Sequence, residues 1–403
     1  MRRPRHEQTN ATERALLLAA FSVALGFGAL IPVLPLYLAA SGAGSPWHEG
    51  VLPVVFLVAA SLSAPLWGGL SDRAPRRRVV LGGLAGAIAA MVPFLAWHSV
   101  PALYAYQAIA GVSFGAVGPV ALAMLYEIAP AGGQARGVAW FNSATLFGYF
   151  AGPAFGGWVV SLAGDLPAHQ MVLLALGTQA LLVSIALGAV SSTTASTPLP
   201  RDTPLRDEPT VKATQENSFV GTAVLAAFMI GAFEIGASLY ARSPLHQGSS
   251  DVTGLFMACS AGMFLAQAIL PRLPPQSARV RIARGCVAVS ALLLAVMAIA
   301  HTPAALVALG GLQGIALGLA TGLLNFEAAA SRRAIRGRMV GYQNSALNAG
   351  QAVGSAAIAG AFINLGAAGF PAVGTIALLT AAFVDVRWRA RESPSEKPGG
   401  RAR

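Results

Sequence analysis

The sequence predicts an all-α integral membrane protein with twelve transmembrane helices in two pseudo-symmetric six-helix bundles. Hydrophobic residues make up 55% of the 403 residues and charged residues only 11%, against about 25% charged residues in soluble domains. The mean hydropathy is +0.62, and the apolar residues fall into twelve runs. Each run reaches the roughly 20 residues that a helix needs to cross a bilayer. Helices are expected because lipid offers backbone polar groups no hydrogen-bond partner.

The twelve runs define the expected spans and the organisation of the chain. Their approximate boundaries, in order, are 15–40, 50–70, 78–97, 101–128, 137–162, 168–190, 217–241, 252–271, 281–300, 303–328, 339–364 and 367–386. The stretch between the sixth and seventh spans is rich in Ser, Thr, Pro and charge, which is typical of a flexible linker. The expected parts are an N-terminal bundle, a cytoplasmic linker, a C-terminal bundle and a basic cytoplasmic tail, at 1–190, 191–216, 217–386 and 387–403.

The positions of Lys and Arg predict that both termini are cytoplasmic. With the N-terminus inside, 26 of the 27 basic residues fall in cytoplasmic loops or tails, and only Arg242 lies outside. This is the charge bias of a multi-pass protein of the cytoplasmic (inner) membrane. It also explains the net charge of +11, so the lipid bilayer is the expected partner and a nucleic acid is not.

An internal repeat supports two related halves. The segment RGVAWFNSA at 136–144 recurs as RMVGYQNSA at 338–346, and Gly148 and Gly152 recur as Gly350 and Gly354, all 202 residues later. Spans four and five therefore correspond to spans ten and eleven. Repeats of this kind are typical of alternating-access carriers, whose substrate site lies between the halves near the middle of the membrane.

The fifth span contains the segment GYFAGPAFGG at 148–157. Glycines spaced by four share one helix face, which lets a neighbouring helix approach backbone to backbone, and the internal proline is expected to bend the helix. The pattern GxxxGPxxGG resembles, at each fixed position, the fifth-helix motif of drug:proton antiporters in the major facilitator superfamily. The residues that carry this resemblance are Gly148, Gly152, Pro153, Gly156 and Gly157.

The loop after the second span, GGLSDRAPRRR at 68–78, resembles the helix 2–3 signature of the same superfamily, with Pro75 where the pattern has glycine. The resemblance implies a cytoplasmic latch that holds the outward-facing state closed inside. Asp72 would face the N-terminus of helix 11, whose dipole attracts a carboxylate, and Arg76 would pair with Glu127. The expected latch residues are Gly68, Asp72, Arg73, Arg76, Glu127 and Arg136.

The fourth span departs from the pattern of the family. Counting back from Gly111 places Gln107 where the family has a buried arginine implicated in proton transfer. Glutamine can form hydrogen bonds with a substrate but cannot carry that charge. The departure therefore argues against coupling through an arginine at this position.

Glu234 is the acidic residue that the sequence places well inside a span. It lies in the seventh span, about 10 Å from the outer end, on a small and polar stripe with Ala227, Gly231 and Ser238. We expect it to face the central cavity and to act as the proton-coupling residue, because charge inside a membrane is costly and marks functional sites. A proton and a cationic substrate would compete for this carboxylate. The alternative is a hydrogen-bonded Glu that only holds helix 7 to its neighbours.

The other polar side chains expected in the cavity are uncharged: Tyr37, Gln107, Asn142, Tyr149, Gln267, Gln313 and Asn344. A largely apolar cavity with one carboxylate suits a small hydrophobic or cationic compound, so the first hypothesis is proton-coupled efflux by alternating access. The alternative is a sugar or metabolite permease, or a facilitator, without coupling through Glu234. Protons and a small molecule are thus the expected partners.

Other classes of protein are disfavoured. The sequence lacks HExxH, a Ser/His pair or a carboxylate dyad typical of a membrane enzyme, and the histidines do not cluster as metal ligands would. We therefore expect no enzyme activity, no cofactor and no metal. A monomer is expected, because twelve helices can enclose a transport pathway without a second copy.

Overall fold

The computed structural model of the protein is helical. It describes residues 5–30, 33–42, 46–130, 132–163, 166–193, 213–242, 249–272, 276–300, 302–331 and 335–392. Within these ranges the regular structure consists of α-helices and short 3₁₀ turns, with no β-strand. The all-α fold class predicted from the apolar runs is confirmed.

The described residues form fourteen α-helices. In chain order they are α1 (Arg5–Ala29), α2 (Leu34–Ala40), α3 (Pro46–Arg73), α4 (Arg76–Ala89), α5 (Val92–Trp97), α6 (Val100–Ile128), α7 (Gln134–Ala163), α8 (Ala168–Ser192), α9 (Ala213–Arg242), α10 (Ser249–Ile269), α11 (Gln276–Val296), α12 (Pro303–Ala329), α13 (Arg336–Leu365) and α14 (Gly369–Glu392). We call α1–α8 the first helix group and α9–α14 the second helix group.

Two expected spans are broken in the structure. The first runs through α1 and α2, and the third through α4 and α5. Prolines lie in the first turn of both α2 and α5. Proline has no backbone N–H to donate, so it fits the first turn of a new helix and interrupts a continuous one.

Ten stretches of the described chain are long and apolar enough to cross a membrane. One of them covers 49 residues and joins α13 to α14, and α7 is not among the ten. The count of twelve transmembrane helices therefore stays a prediction. The same holds for the division into two bundles, a linker and a tail, because 194–212 and 393–403 lie outside the described residues.

Glycines set the closest helix contacts, and the two copies of the repeat use them alike. A methyl group added at Gly148 of α7 would lie 2.5 Å from the carbonyl oxygen of Phe21 in α1. A methyl group added at Gly350 of α13 would collide with the carbonyl oxygen of Val224 in α9. The repeat in the sequence thus corresponds to a repeat in packing, with α7 on α1 and α13 on α9.

The two helix groups meet where α3 crosses α13. Gly68 lies against the backbone of Gly337, so that neither position has space for a side chain. The Ser61 hydroxyl donates to the carbonyl oxygen of Ser345 at 3.0 Å. Close to this crossing, at one end of the molecule, lie the described starts of α4 and α13 with Arg76 and Arg336. We call this end of the molecule the basic end.

Candidate transport site

A cavity of about 160 Å³ lies between the two helix groups. Side chains of α1, α6 and α7 form one wall, and side chains of α9, α10, α12 and α13 form the other. Sites for drug-sized ligands usually measure about 300–1,000 Å³, so a compound of that size needs the groups to move apart. The lining residues are Ala20, Val23, Phe114, Val117, Gly118, Phe141, Asn142, Thr145, Leu146, Tyr149, Ala227, Ile230, Met263, Gln267, Thr321, Asn325, Asn344, Leu347, Asn348 and Gln351.

A chain of amides crosses the cavity near the basic end. Asn142 of α7 donates from Nδ2 to Gln267 Oε1 of α10 at 3.0 Å. Asn325 of α12 donates from Nδ2 to Asn142 Oδ1 at 2.9 Å. Gln267 in turn donates to the carbonyl oxygen of Gly318 at 3.1 Å. Asn142 is therefore both donor and acceptor in bonds that join the first helix group to the second.

Glu234 is not itself a lining residue, but it contacts the wall at the other end of the cavity. It is half-buried in α9, and its Oε2 accepts a hydrogen bond from Nε2 of Gln351 at 2.9 Å. Gln351 lines the cavity, and so does Tyr149. Close packing of Gly231 on the backbone of Gln351 brings α9 and α13 together at this point.

Four of the seven side chains predicted to line the cavity do so: Asn142, Tyr149, Gln267 and Asn344. Asn348 lines it as well and donates to Asn344 Oδ1 at 2.9 Å, but sequence reasoning missed it. The spacing by four from Asn344 was the available signal, because residues i and i+4 share a helix face.

The other three predicted cavity residues lie elsewhere, which corrects the prediction. The Tyr37 hydroxyl donates to the backbone oxygen of His98 at the end opposite the basic one. Gln107 is buried in α6 on the face it shares with Gly111, which packs against α3. Gln313 donates to Ser290 of α11 at 2.7 Å. The bonds of Tyr37 and Gln313 thus both stay within one helix group.

The carboxylate of Asp72 caps α13 at the basic end. Its Oδ1 accepts from the backbone N–H of Gly337 at 2.7 Å and its Oδ2 from that of Arg338 at 2.9 Å. These N–H groups belong to the first turn of α13, where they have no partner within the helix. A carboxylate there also faces the positive end of the helix dipole. Asp72 therefore ties the end of α3 to the start of α13.

Arg76 and Glu127 form a bidentate pair next to this cap. Arg76 Nη2 lies 3.0 Å from Glu127 Oε1 and Nε lies 3.2 Å from Oε2, while Nη2 also lies 3.1 Å from Asp72 Oδ1. Pro75 has φ −58°, so the loop turns without the left-handed residue that a glycine would allow. The α3–α4 loop is thereby held against the end of α6.

Sequence reasoning missed Arg336, which adds a bond between the helix groups. Its Nη1 lies 3.0 Å from Glu127 Oε1, and its guanidinium lies over the Tyr126 ring, 4.9 Å from the centroid. The Tyr126 ring packs edge-on against Phe326 with centroids 5.7 Å apart. The sequence shows several arginines near the start of the eleventh span, but it does not indicate which of them pairs with Glu127.

The remaining motif residues occupy varied positions. Gly68 packs against Gly337, whereas Arg73 and Arg136 are both exposed, Arg136 in the first turn of α7. In the fifth-helix motif Gly148 and Gly152 contact α1, and Gly157 has nothing within 4 Å of an added methyl group. Gly156 is buried, and Pro153 lies inside α7. Among the described residues no group of three or more His, Cys, Asp or Glu side chains is arranged to hold a metal.

Comparison with known proteins gives relatives among drug-resistance proteins. The Quinolone resistance protein NorA of Staphylococcus aureus (strain Mu50 / ATCC 700699) is 29% identical over 168 residues, which is 41% of this chain and 42% of that protein. The Tetracycline resistance protein, class H, of Pasteurella multocida is 29% identical over 174 residues, 43% of this chain and 42% of that protein. The match thus spans less than half the length of these relatives.

Solved structures agree in fold. The human organic anion transporter MFSD10 (TETRAN) superposes with a TM-score of 0.72 at 19% identity, over 95% of this chain and 100% of that one. A bacterial homologue of the iron transporter ferroportin, in the outward-facing state, gives 0.68 at 15% identity, over 94% and 100%. The family model described as Major Facilitator Superfamily matches residues 16–302. This chain therefore belongs to the Major Facilitator Superfamily and is a multi-pass membrane transporter.

Proposed function

We propose that this transporter exports small hydrophobic or cationic compounds in exchange for protons. The observation that carries the proposal is the hydrogen bond between the Glu234 carboxylate and Gln351, a residue of the cavity wall. The described residues that line the cavity include no Asp, Glu, Lys, Arg or His. A cation in the cavity would therefore find its one strong counter-charge at Glu234.

Exchange follows from competition for this carboxylate. A protonated Glu234 is neutral and binds a cation weakly, whereas an ionised Glu234 attracts it. If protonation occurs at one side of the membrane and cation binding at the other, each transported compound is exchanged for a proton. The resistance proteins that resemble this chain support export of toxic compounds as the purpose.

The contacts at the basic end support a role as a cytoplasmic latch in the inner membrane. Asp72, Glu127 and Arg336 join the helix groups there, and the bias of Lys and Arg favours a cytoplasmic location of this end and of both termini. In this proposal the basic end is closed and opens when the latch breaks. The protein works as a monomer, since the cavity is built from one chain.

A facilitator for a neutral metabolite is the second candidate. The amide groups of Asn142, Gln267 and Asn325 favour it, because they can form hydrogen bonds with a polar uncharged substrate without any proton exchange. Gln107, which stands where the family has an arginine implicated in proton transfer, also favours a facilitator. The two functions differ in what the pH gradient does.

Transport by purified protein in liposomes distinguishes them. We expect a pH gradient to drive uphill movement of the fluorescent cation ethidium by the wild type. Glu234→Gln should lose the uphill movement and keep downhill exchange, because the cavity remains but the exchangeable proton is gone. Transport of the same rate by both proteins, with or without the gradient, would favour the facilitator.

A matched control separates coupling from damage to the fold. Glu327 lies 200 residues after Glu127, just before the second copy of the repeat as Glu127 lies just before the first. Its Oε1 lies 3.3 Å from Arg279 Nη1 near the basic end. Glu327→Gln removes a carboxylate of the same size away from the cavity. We expect it to retain gradient-driven movement of ethidium.

A further inference from the structure

We propose that the cavity recognises a ligand with two different ends. One end is a cationic amine that faces Glu234, and the other carries an adjacent hydrogen-bond donor and acceptor, as in a carboxamide, that faces Asn142. The amine end rests on the proposed function. The carboxamide end does not, because it follows from the amide chain alone.

The amide chain has the properties of a recognition site. Asn142 and Gln267 are buried, with exposed fractions of 7% and 3%, and both line the cavity together with Asn325. Each uses its side chain in bonds of 2.9–3.1 Å. Because these hydrogen bonds are noncovalent, a ligand group can take the places of Asn325 and Gln267 on Asn142.

The chemistry of Asn142 selects the ligand group. Its Nδ2 donates to one partner and its Oδ1 accepts from another. A ligand that replaces these partners must offer an acceptor and a donor side by side, which a carboxamide does. A ketone offers the acceptor alone and leaves a buried amide oxygen without a partner, which is unfavourable.

The two ends of the cavity are separated by a defined length. Asn142 and Tyr149 both line the cavity from α7, and seven residues of helix rise by about 10 Å. Gln351, which bonds to Glu234, lies seven residues beyond Asn344 on α13. Between these levels the walls include Leu146 and Leu347 together with Thr145 and Asn348. The two ends of the ligand are therefore separated by about 10 Å.

The repeat supplies a control within the same cavity. Asn344 corresponds to Asn142 and also lines the cavity, but its Oδ1 accepts from Asn348 of the same helix. A substitution at Asn344 removes an amide of the same kind without removing the chain between the helix groups. The proposal thus predicts different outcomes for two equivalent asparagines.

The test measures binding to the full-length protein in lipid nanodiscs by isothermal titration calorimetry. The probes are para-(aminobutyl)benzamide and para-(aminobutyl)acetophenone, which have the same size and amine but differ in the N–H donor. We expect the benzamide to bind about tenfold more tightly to the wild type, the factor expected for one unsatisfied buried polar group. Asn142→Ala should reduce this ratio to about one, and Asn344→Ala should retain it.

Two further variants keep the outcome interpretable. Asn325→Ala removes the donor that the ligand N–H displaces from Asn142 Oδ1. It should therefore keep or raise the ratio, which gives a second readout if Asn142→Ala fails to fold. Glu234→Gln should weaken both amines equally and leave their ratio unchanged. Equal affinities for the two probes in the wild type would overturn the proposal, as would a preference that survives in Asn142→Ala or is lost in Asn325→Ala. If the benzamide does not bind while ethidium is still exported, the carboxamide end is wrong and the proposed function stands.

Discussion

Helices α6–α7 and α12–α13 carry two copies of one sequence pattern, and they use it differently. Their glycines make equivalent close contacts with a neighbouring helix: Gly148 packs on α1 and Gly350 packs on α9. Their asparagines do not. Asn142 bonds to residues of the other helix group, whereas Asn344 bonds to Asn348 in its own helix.

The acidic residues of the two copies differ in the same way. Glu127 binds Arg76 of its own helix group and Arg336 of the other. For Glu327 the structure gives an ion pair with Arg279, within the second group. The glycine contacts are therefore alike in the two copies, whereas, of the matched asparagines and acids, those of the first copy bond to the other helix group. The glycine contacts hold each group together, and the polar side chains of the first copy form bonds between the two groups.

The largest expected effect concerns the contact that the two copies share. Gly148→Ala and Gly350→Ala should each lower the free energy of unfolding by about 1–3 kcal/mol, because the added methyl group forces two helices apart. Thermal unfolding of the purified variants measures this. Gly157→Ala is the control, since nothing lies within 4 Å of the added group, and alanine is the better helix former by up to about 1 kcal/mol. Equal losses at all three positions would contradict the glycine account.

A smaller effect is expected where the acidic residues differ. Glu127→Gln should favour the form open at the basic end by about 1–2 kcal/mol, because two arginines lose a partly exposed partner. Spin labels at Arg78→Cys and Arg281→Cys, in a background lacking Cys259 and Cys286, report the distance between the groups.

The same labels provide the comparison with the second copy. Glu327→Gln should change the distance distribution less, since Arg279 lies in the same helix group as Glu327. If the two variants open the basic end equally, Glu127 has no special role in joining the groups, and the latch depends on Asp72 alone.

The smallest effect is expected at the asparagines. Asn142→Ala should increase the fraction of long distances between these labels by up to about fivefold, the factor for about 1 kcal/mol, which is the size of interhelical hydrogen bonds in membranes. Asn344→Ala should leave the distribution unchanged. A reversed order would mean that Asn344 is the residue that links the helix groups.

The sequence was sufficient for features that depend on local pattern. Apolar length predicted the helices, and the spacing of Gly148 and Gly152 predicted a face for close packing. The resemblance in the α3–α4 loop implied the contacts of Asp72 and Arg76, and both contacts are present. Such features follow from the chain itself or from a motif that fixes its own partners.

The sequence was insufficient where a side chain has several helices to face. Gln313 bonds to Ser290 of α11, and Gln107 is buried away from the cavity lining, although both have the same polarity as Gln267, which does line the cavity. The spacing of residues predicts which side chains share a face of a helix, but it does not predict whether that face meets another helix or the cavity. The sequence also did not predict that one helix would end before α2 and another before α5. A proline in an apolar run can either bend a helix or interrupt it.

The most direct test of the exchange at Glu234 measures protons at the moment a cation binds. Purified protein in weakly buffered detergent solution is mixed with ethidium, and a pH-sensitive dye records proton release. We predict that the wild type releases up to one proton per bound cation near the pH at which half of Glu234 is protonated, and that Glu234→Gln binds ethidium without release. Binding to the wild type without proton release at any pH between 5 and 9 would contradict the account (about the range in which a buried carboxyl titrates).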